Sequence, residues 1–188
     1  MKDSITLSTM NEIKIISNPI RMRVLRNYYS IGKPATVKQM AVYMGEVPAN
    51  IHYHVKKLIE INVLELHHTE SVNGITAKFY VPTAKHIKID DEHDASEKYI
   101  DEKEVIVSNI FDDGKKEFMK ALRSKKNDEK GTIFASKIAL TESEYRKVLD
   151  YMTTLVDEHR VTEDDDRKYL LFTGIIEIED SNEDESKI

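Results

Sequence analysis

The sequence predicts an α+β fold, with a helical N-terminal part that carries a β-ribbon and a smaller C-terminal α/β segment. Apolar residues recur at helical spacing in four stretches before residue 60. Two strand-like runs then flank Asn73-Gly74, a dipeptide that tolerates the positive φ of a tight hairpin turn. The predicted order is therefore four helices, a hairpin and a second unit.

Two helices are predicted before residue 31. Residues 8–16 place apolar side chains at helical spacing. Asn18 then supplies an N-cap residue, and Pro19 follows at the first helical position, where its missing N–H costs nothing. The second helix should bury Ile20, Val24, Leu25 and Tyr28 and turn Arg21, Arg23 and Arg26 outward, either to reach phosphates or to keep the helix soluble.

The next two helices are predicted to be joined by a tight turn. Thr36 and Gln39 have capping-box spacing, which predicts a short helix over 37–44. Gly45 supplies the turn, and Pro48 is a suitable first residue for the following helix. The helix that begins at Pro48 should bury Ile51, Val55 and Leu58.

A hairpin is predicted directly after the helix-turn-helix pattern, with strands near 64–69 and 76–81. Pro82 ends its second strand. A ribbon in this position is the wing of a winged helix. We therefore predict a winged helix-turn-helix over residues 1–83.

The rest of the chain is predicted to form an α/β dimerisation domain over 96–178, after a polar connector at 84–95. It should contain a long amphipathic helix from residue 96, a strand over 132–140 and a last strand over 169–178. Thr141 and Glu144 form another capping box, which opens a helix through about His159. Tyr145, Val148, Leu149, Met152, Leu155 and Val156 should face inward on that helix. Residues 179–188 form an acidic tail that we expect to be disordered.

Composition narrows the classes of protein further. The chain has 188 residues and no Cys, which excludes disulfides, thiolate metal sites and cysteine nucleophiles. It has no apolar run of transmembrane length and no signal peptide at its start, so we expect a soluble, cytoplasmic protein without a membrane partner. No phosphate loop, nucleophile elbow or catalytic triad is recognisable, and we expect no enzymatic activity and no catalytic residues.

The net charge of −6 is unevenly distributed. Residues 1–82 hold 10 Lys and Arg against 6 Asp and Glu, a net charge of +4. Residues 83–188 hold 18 against 28, a net charge of −10. A basic N-terminal half suits a DNA partner, because phosphate binding depends on Lys and Arg. Two solvated surfaces that differ by chance are the alternative.

Four segments resemble the ArsR-like winged-helix transcription regulators. They begin at Asn18, Thr36, Val47 and Asn73, and the resemblance covers residues 12–83. It is strongest to the branch with a Tyr-His-Leu-Lys-Lys-Leu recognition helix and an extra C-terminal α/β segment, to which the region after Leu140 is more loosely similar. The resemblance implies a homodimer that binds operator DNA. In this chain, the second helix of the helix-turn-helix departs from that recognition-helix pattern at His52 and Val55.

Metal sensing is not predicted. The metal-responsive members of this family use a Cys pair or His and Asp ligands at helical spacing, whereas the acidic run 90–94 lies in the connector. His67 and His68 are adjacent in a strand, so their side chains should point to opposite faces and not chelate one ion. We expect no metal and no cofactor. A small-molecule or peptide effector is left open.

The candidate site residues fall into three groups. Those expected to contact bases are Ala49, Asn50 and Tyr53. Those expected near phosphates or in the wing are Thr36, Lys38, His52, His54, Lys56, Lys57, Asn73 and Lys78, with packing as the alternative role of His54. Those expected at the dimer interface are Tyr99, Ile100, Val107, Ile110, Phe111 and Phe118, on a helix stripe that intrachain packing could also cover.

These observations predict a sequence-specific, homodimeric DNA-binding transcription regulator, with repression as the expected mode. The competing hypothesis is a protein-interaction module, an anti-repressor or adaptor whose acidic half mimics the charge of DNA.

Overall fold

The protein is a mixed α+β molecule. The computed structural model describes residues 1–72, 74–90, 97–123, 136–159, 169, 171 and 173–176. None of the helices in these ranges is long and apolar enough to span a membrane. In chain order the elements are β1 (Lys2–Leu7), α1 (Met10–Ile16), α2 (Pro19–Ile31), β2 (Ala35–Thr36), α3 (Val37–Met44), α4 (Pro48–Glu60), β3 (Leu64–Val72), β4 (Ile75–Pro82), β5 (Ala84–Ile89), α5 (Glu97–Arg123) and α6 (Glu142–Glu158).

The predicted helix starts are confirmed by their caps. Asn18 Oδ1 accepts hydrogen bonds from the backbone N–H groups of Ile20 and Arg21, at 3.1 and 3.2 Å. The Thr36 hydroxyl accepts from the Gln39 N–H at 3.1 Å, and the Gln39 side chain accepts in return from the Thr36 N–H at 2.8 Å. The capping box of Thr141 is formed in the same way. Each cap satisfies backbone donors that the first helical turn leaves unpaired.

One apolar core joins the first four helices to the hairpin. Its fully buried side chains include the predicted stripe of α4 and two of the predicted residues of α2. The largest of them are Tyr28, Leu7, Ile13, Met40, Ile51, Leu58, Leu64, Val24, Val55 and Val63. The core therefore fixes how α4 is turned relative to α2 and α3.

The strands form two small sheets. In the first, β4 lies between β2 and β3, and both pairings are antiparallel. In the second, β1 pairs in parallel with β5, with Ser4 opposite His86. The prediction of a polar connector over 84–95 is wrong for its first part, because residues 84–89 form β5. Neither β1 nor β5 was predicted, since parallel pairing joins segments about 80 residues apart.

The three outward arginines of α2 bind the protein itself. Arg21 donates to the backbone oxygens of Ile15 and Lys14 at the end of α1. Arg23 forms an ion pair of 2.6 Å with Glu46, which follows the turn after α3. Arg26 forms one of 2.9 Å with Asp113 on α5. These contacts join α2 to its neighbours, a role that the sequence did not indicate.

α5 packs against the N-terminal part along one face. Tyr99 and Ile106 are buried in the main core. The Ser17 hydroxyl donates to Glu102 at 2.7 Å, and the Asn109 side chain donates to the Ser17 backbone oxygen at 3.0 Å. The helix is therefore attached by both apolar and polar contacts.

The C-terminal part differs from its prediction in its strands and agrees in its helix. Residues 136–140 of the predicted 132–140 strand have no regular structure, and neither do the described residues of the predicted 169–178 strand. α6 ends at Glu158, one residue before the predicted end at about His159. None of its residues is buried: Val148, Leu149 and Val156 are exposed, and Tyr145, Met152 and Leu155 are half-buried. His86 on β5 contacts Asp157 on α6 at 3.1 Å. The acidic tail at 179–188 lies outside the described residues.

Candidate nucleic-acid interface

α4 is held by one face and exposes the other. Ile51, Val55 and Leu58 are completely buried against the core. At the end of the helix, Asn62 adopts a φ of 57°, and the Val63 N–H donates to the Leu58 carbonyl oxygen at 3.1 Å. This turn leads the chain directly into β3. The helix is thereby fixed in rotation, and its opposite arc faces solvent.

The exposed arc of α4 contains two of the three residues expected to contact bases. Ala49 is exposed, and the Tyr53 side chain is 54% exposed. Asn50 is half-buried, at the edge of the arc. His52 lies fully in the arc, together with Lys56, although it was expected only near phosphates. The exposed arc is therefore centred nearer to Ala49 and Lys56, and further from Asn50, than the sequence predicted.

His54 lies inside the protein. Its side chain is only 6% exposed, so it cannot contact a phosphate, and packing is the role that the structure shows. Its Nδ1 atom has no hydrogen-bond partner among the described residues. Burial, and then the nearby Arg21 guanidinium, lower the pKa of His54, while Glu46 opposes them. His54 is thus a buried imidazole whose charged form is disfavoured.

The two lysines of α4 differ in their surroundings. Lys57 forms an ion pair of 2.7 Å with Glu60 on the next helical turn, and this hydrogen bond raises the pKa of Lys57. Lys56 is exposed, and the described part of the chain gives it no ion pair. Of the two, Lys56 has the charge that is more available to a phosphate.

The N-terminus of α3 lies before this arc in the chain. Lys38 is exposed there, whereas the Thr36 hydroxyl already accepts a hydrogen bond as the cap of α3. Thr36 can still donate its hydroxyl hydrogen to a phosphate oxygen. Thr36 and Lys38 therefore both lie at a helix N-terminus, and the helix dipole favours anions there.

In the hairpin, Lys78 is exposed on β4 and lies opposite Thr69. Val72 pairs with Ile75, so the turn contains two residues, and Gly74 adopts a φ of 77°. A positive φ is what the predicted turn requires. Asn73, the other predicted turn residue, lies outside the described residues.

His67 and His68 do not alternate across β3 as predicted. Leu66 pairs with Tyr80 and His68 with Phe79, so one extra residue is inserted in β3 as a bulge. Their Nδ1 atoms lie 2.7 Å apart. The expectation that these side chains point to opposite faces is therefore wrong, because a bulge interrupts the alternation of a strand.

Sequence reasoning missed three exposed apolar side chains beside the turn between α3 and α4. Val42 is 76% exposed, and Tyr43 and Val47 are also well exposed. Val42 and Tyr43 fall outside the inward stripe of α3, which is the signal that could have identified them. In the chain, Val42 and Tyr43 precede the Gly45 turn and Val47 directly precedes α4.

The predicted dimer residues divide between the two faces of α5. Tyr99 is buried in the core of its own chain, so its assignment to a dimer interface is wrong. Ile100, Val107, Ile110 and Phe111 are about half exposed, and Phe118 is half-buried. Ile106, which the predicted stripe omitted, is buried. We call Ile100, Val107, Ile110 and Phe111 the outer stripe of α5.

Comparisons with protein-family models and with curated proteins found no match to this chain.

Proposed function

We propose that the protein is a sequence-specific DNA-binding transcription regulator of the winged helix-turn-helix type, acting as a homodimer. The main support for this proposal is that α4 exposes one face to solvent. Its apolar face is completely buried, while Ala49, His52, Tyr53 and Lys56 are presented together to solvent. An exposed helix of this kind, preceded by a helix and a turn and followed by a hairpin, has the arrangement of a recognition helix and its wing.

Charge supports the same proposal. The half of the chain that carries α4 and the hairpin has a net charge of +4, against −10 for the remainder. Lys38 and Lys56 are exposed on α3 and α4, and Lys78 is exposed on β4. Three lysines on neighbouring elements can follow the phosphates that flank a major groove.

The exposed side chains suggest distinct roles. The hydroxyl of Tyr53 and the ring nitrogens of His52 can donate or accept hydrogen bonds at base edges, and the methyl group of Ala49 can contact a thymine methyl group. Asn50 can pair with adenine through its amide, although it lies at the edge of the arc. Lys56 can form an ion pair with one phosphate group.

A gel-shift and anisotropy experiment with DNA from upstream of the protein's own gene tests these roles. Asn50→Ala and Tyr53→Ala should each lower the preference for the bound site by about 1 to 3 kcal/mol. Lys56→Ala should weaken binding to all sequences similarly. It should also reduce the magnitude of the slope of log K against log salt concentration by about one.

Lys147→Ala on α6 is the matched control, because it removes an exposed lysine far along the chain from α4. It should leave both affinity and salt slope unchanged. The proposal fails if the protein does not bind DNA at low salt, or if it binds all sequences equally.

A second function is favoured by one observation. Val42, Tyr43 and Val47 each expose an apolar side chain within a few residues of the Gly45 turn, and exposed apolar surface suits a protein partner better than a phosphate backbone. An anti-repressor or adaptor would use this surface, and its acidic half would mimic DNA charge. In that case Val42→Ser would abolish partner binding, and Lys56→Ala would have no effect on it.

A further inference from the structure

The bulge in β3 brings two imidazole rings together on the surface of the β3–β4 hairpin. In a regular strand, neighbouring side chains point to opposite faces. Here His67 is the extra residue between the Leu66–Tyr80 and His68–Phe79 pairs, and it interrupts the alternation of β3. The Nδ1 atoms of His67 and His68 converge to 2.7 Å. Two imidazole nitrogens thus meet at one point of the surface and share one hydrogen between them.

The His68 ring is fixed by its other contacts. Its Nε2 lies 3.0 Å from a carboxylate oxygen of Glu70. An ionised carboxylate only accepts hydrogen bonds, so Nε2 is the protonated nitrogen of a neutral His68 and Nδ1 is the unprotonated one. The ring also stacks on Phe79, with centroids 4.5 Å apart and an angle of 8° between planes. His68 therefore presents a lone pair in a defined direction, toward His67.

We propose that His67 and His68 bind a divalent transition-metal ion, of the zinc, nickel or copper class, through their Nδ1 atoms, with Glu70 as the positioning residue for His68. Imidazole is a preferred ligand of these ions. A metal-bound histidine usually donates its second ring N–H to a carboxylate, which is the relation between His68 and Glu70.

The geometry needs only a small adjustment. Two zinc–nitrogen bonds of about 2.0 to 2.1 Å at a tetrahedral angle separate the nitrogens by about 3.3 Å, so they must move apart by about 0.6 Å. The His67 side chain is exposed and can rotate, while His68 is held by Phe79 and Glu70. Metal entry also requires His67 to change tautomer: the hydrogen on its Nδ1 is given up to solvent and one is taken up at its Nε2, so the ring stays neutral and each coordinating nitrogen has a lone pair.

Water molecules would occupy the remaining coordination positions of the metal ion. Within the described ranges no group of three or more His, Cys, Asp or Glu side chains could hold a metal. A site with two protein ligands binds more weakly and exchanges faster than a four-ligand structural zinc site. It is therefore a reversible surface site, and it does not depend on DNA binding.

Titration of the full-length, chelator-treated protein with zinc, nickel and copper chlorides tests the proposal. Calorimetry should show one saturable ion per chain, and NMR should show changes in the ring signals of His67 and His68. His67→Gln and His68→Gln should each abolish that binding. Glu70→Gln should lower the affinity about 10- to 100-fold while both histidines remain ligands.

Matched controls separate this site from other histidines. His52→Gln on the exposed arc of α4 and His93→Gln in the acidic run 90–94 should keep full binding, and amide spectra should show that every variant is folded. Absence of saturable binding, or undiminished binding by His67→Gln and His68→Gln, would overturn the site. An unchanged affinity in Glu70→Gln would overturn the positioning role of Glu70.

Discussion

At the scale of single residues, His54 shows that adjacent positions on a helix can differ completely in exposure. It follows Tyr53, which is exposed, and precedes Val55, which is fully buried. The sequence placed His54 at the flank of the buried stripe, and this position left both packing and phosphate contact open. Only the way α2 and the Gly45 turn approach α4 decides between them. Because the imidazole is buried near Arg21, its charged form is disfavoured.

Stability should therefore fall as pH decreases through the range in which histidine titrates. The pKa of folded His54 is lowered from its ordinary value of 6.5, so below that value the unfolded chain binds the proton more readily. The stabilising contribution is complete above pH 6.5 and is lost progressively as pH falls toward the folded pKa. Urea denaturation between pH 8 and 5 measures this loss.

His54→Leu should remove part of that pH dependence, because leucine fills the same apolar site without a titrating group. At pH 8 its free energy of unfolding should equal or exceed that of the wild type, since an unpaired buried nitrogen is removed. His52→Leu, in the exposed arc of the same helix, is the control and should retain the wild-type pH dependence. An unchanged pH profile in His54→Leu would contradict the assignment.

At the scale of elements, local signals were predictable from the sequence and contacts between distant segments were not. The caps at Asn18, Thr36 and Thr141 depend on residues within three positions of each other, and all three form as expected. The β1–β5 pair depends on segments at opposite ends of the N-terminal half, and neither strand has a distinctive local pattern. The bulge at His67 depends on the register of β4, which the sequence of β3 alone does not specify.

The faces of α5 illustrate the same limit. Apolar residues occur on two sides of this helix, and periodicity alone does not show which side its own chain covers. Tyr99 and Ile106 turned out to be covered, while the outer stripe remained exposed. The buried and exposed faces of α4 were predicted more accurately than those of α5, because the apolar stripe of α4 is continuous and leaves a single exposed arc.

Ile106→Ala should therefore destabilise the protein by about 2 to 5 kcal/mol, because it removes a buried side chain that attaches α5 to the core. Val105→Ala is the matched control. It also shortens a β-branched residue, but that residue is exposed, so its effect should stay within about 0.5 kcal/mol. Urea denaturation of both variants distinguishes them. Equal effects would mean that α5 is not packed on the core through Ile106.

At the scale of the whole molecule, the two faces of α5 connect the DNA-binding proposal to a dimer. One face is used by contacts with the N-terminal part, including the Arg26–Asp113 ion pair. The outer stripe leaves Val107 51% exposed and Ile100 50% exposed, on a helix already fixed to the domain that carries α4. A second copy packed on this stripe would hold two α4 helices in a defined relation. Two-fold pairing is how a single short recognition helix gains adequate affinity.

Val107→Glu should accordingly convert the protein to a monomer, because it places a charge in an apolar interface. Ser108→Glu introduces the same charge one residue along, on the polar side of α5, and should leave the dimer intact. Light scattering coupled to gel filtration measures the mass of each variant, and anisotropy measures its DNA affinity. Val107→Glu should lose affinity for a two-fold symmetric site while keeping the fold of the N-terminal part. If Val107→Glu and the wild type have the same mass, the outer stripe does not mediate dimerisation; if both are monomers that bind DNA with full specificity, no dimer is needed.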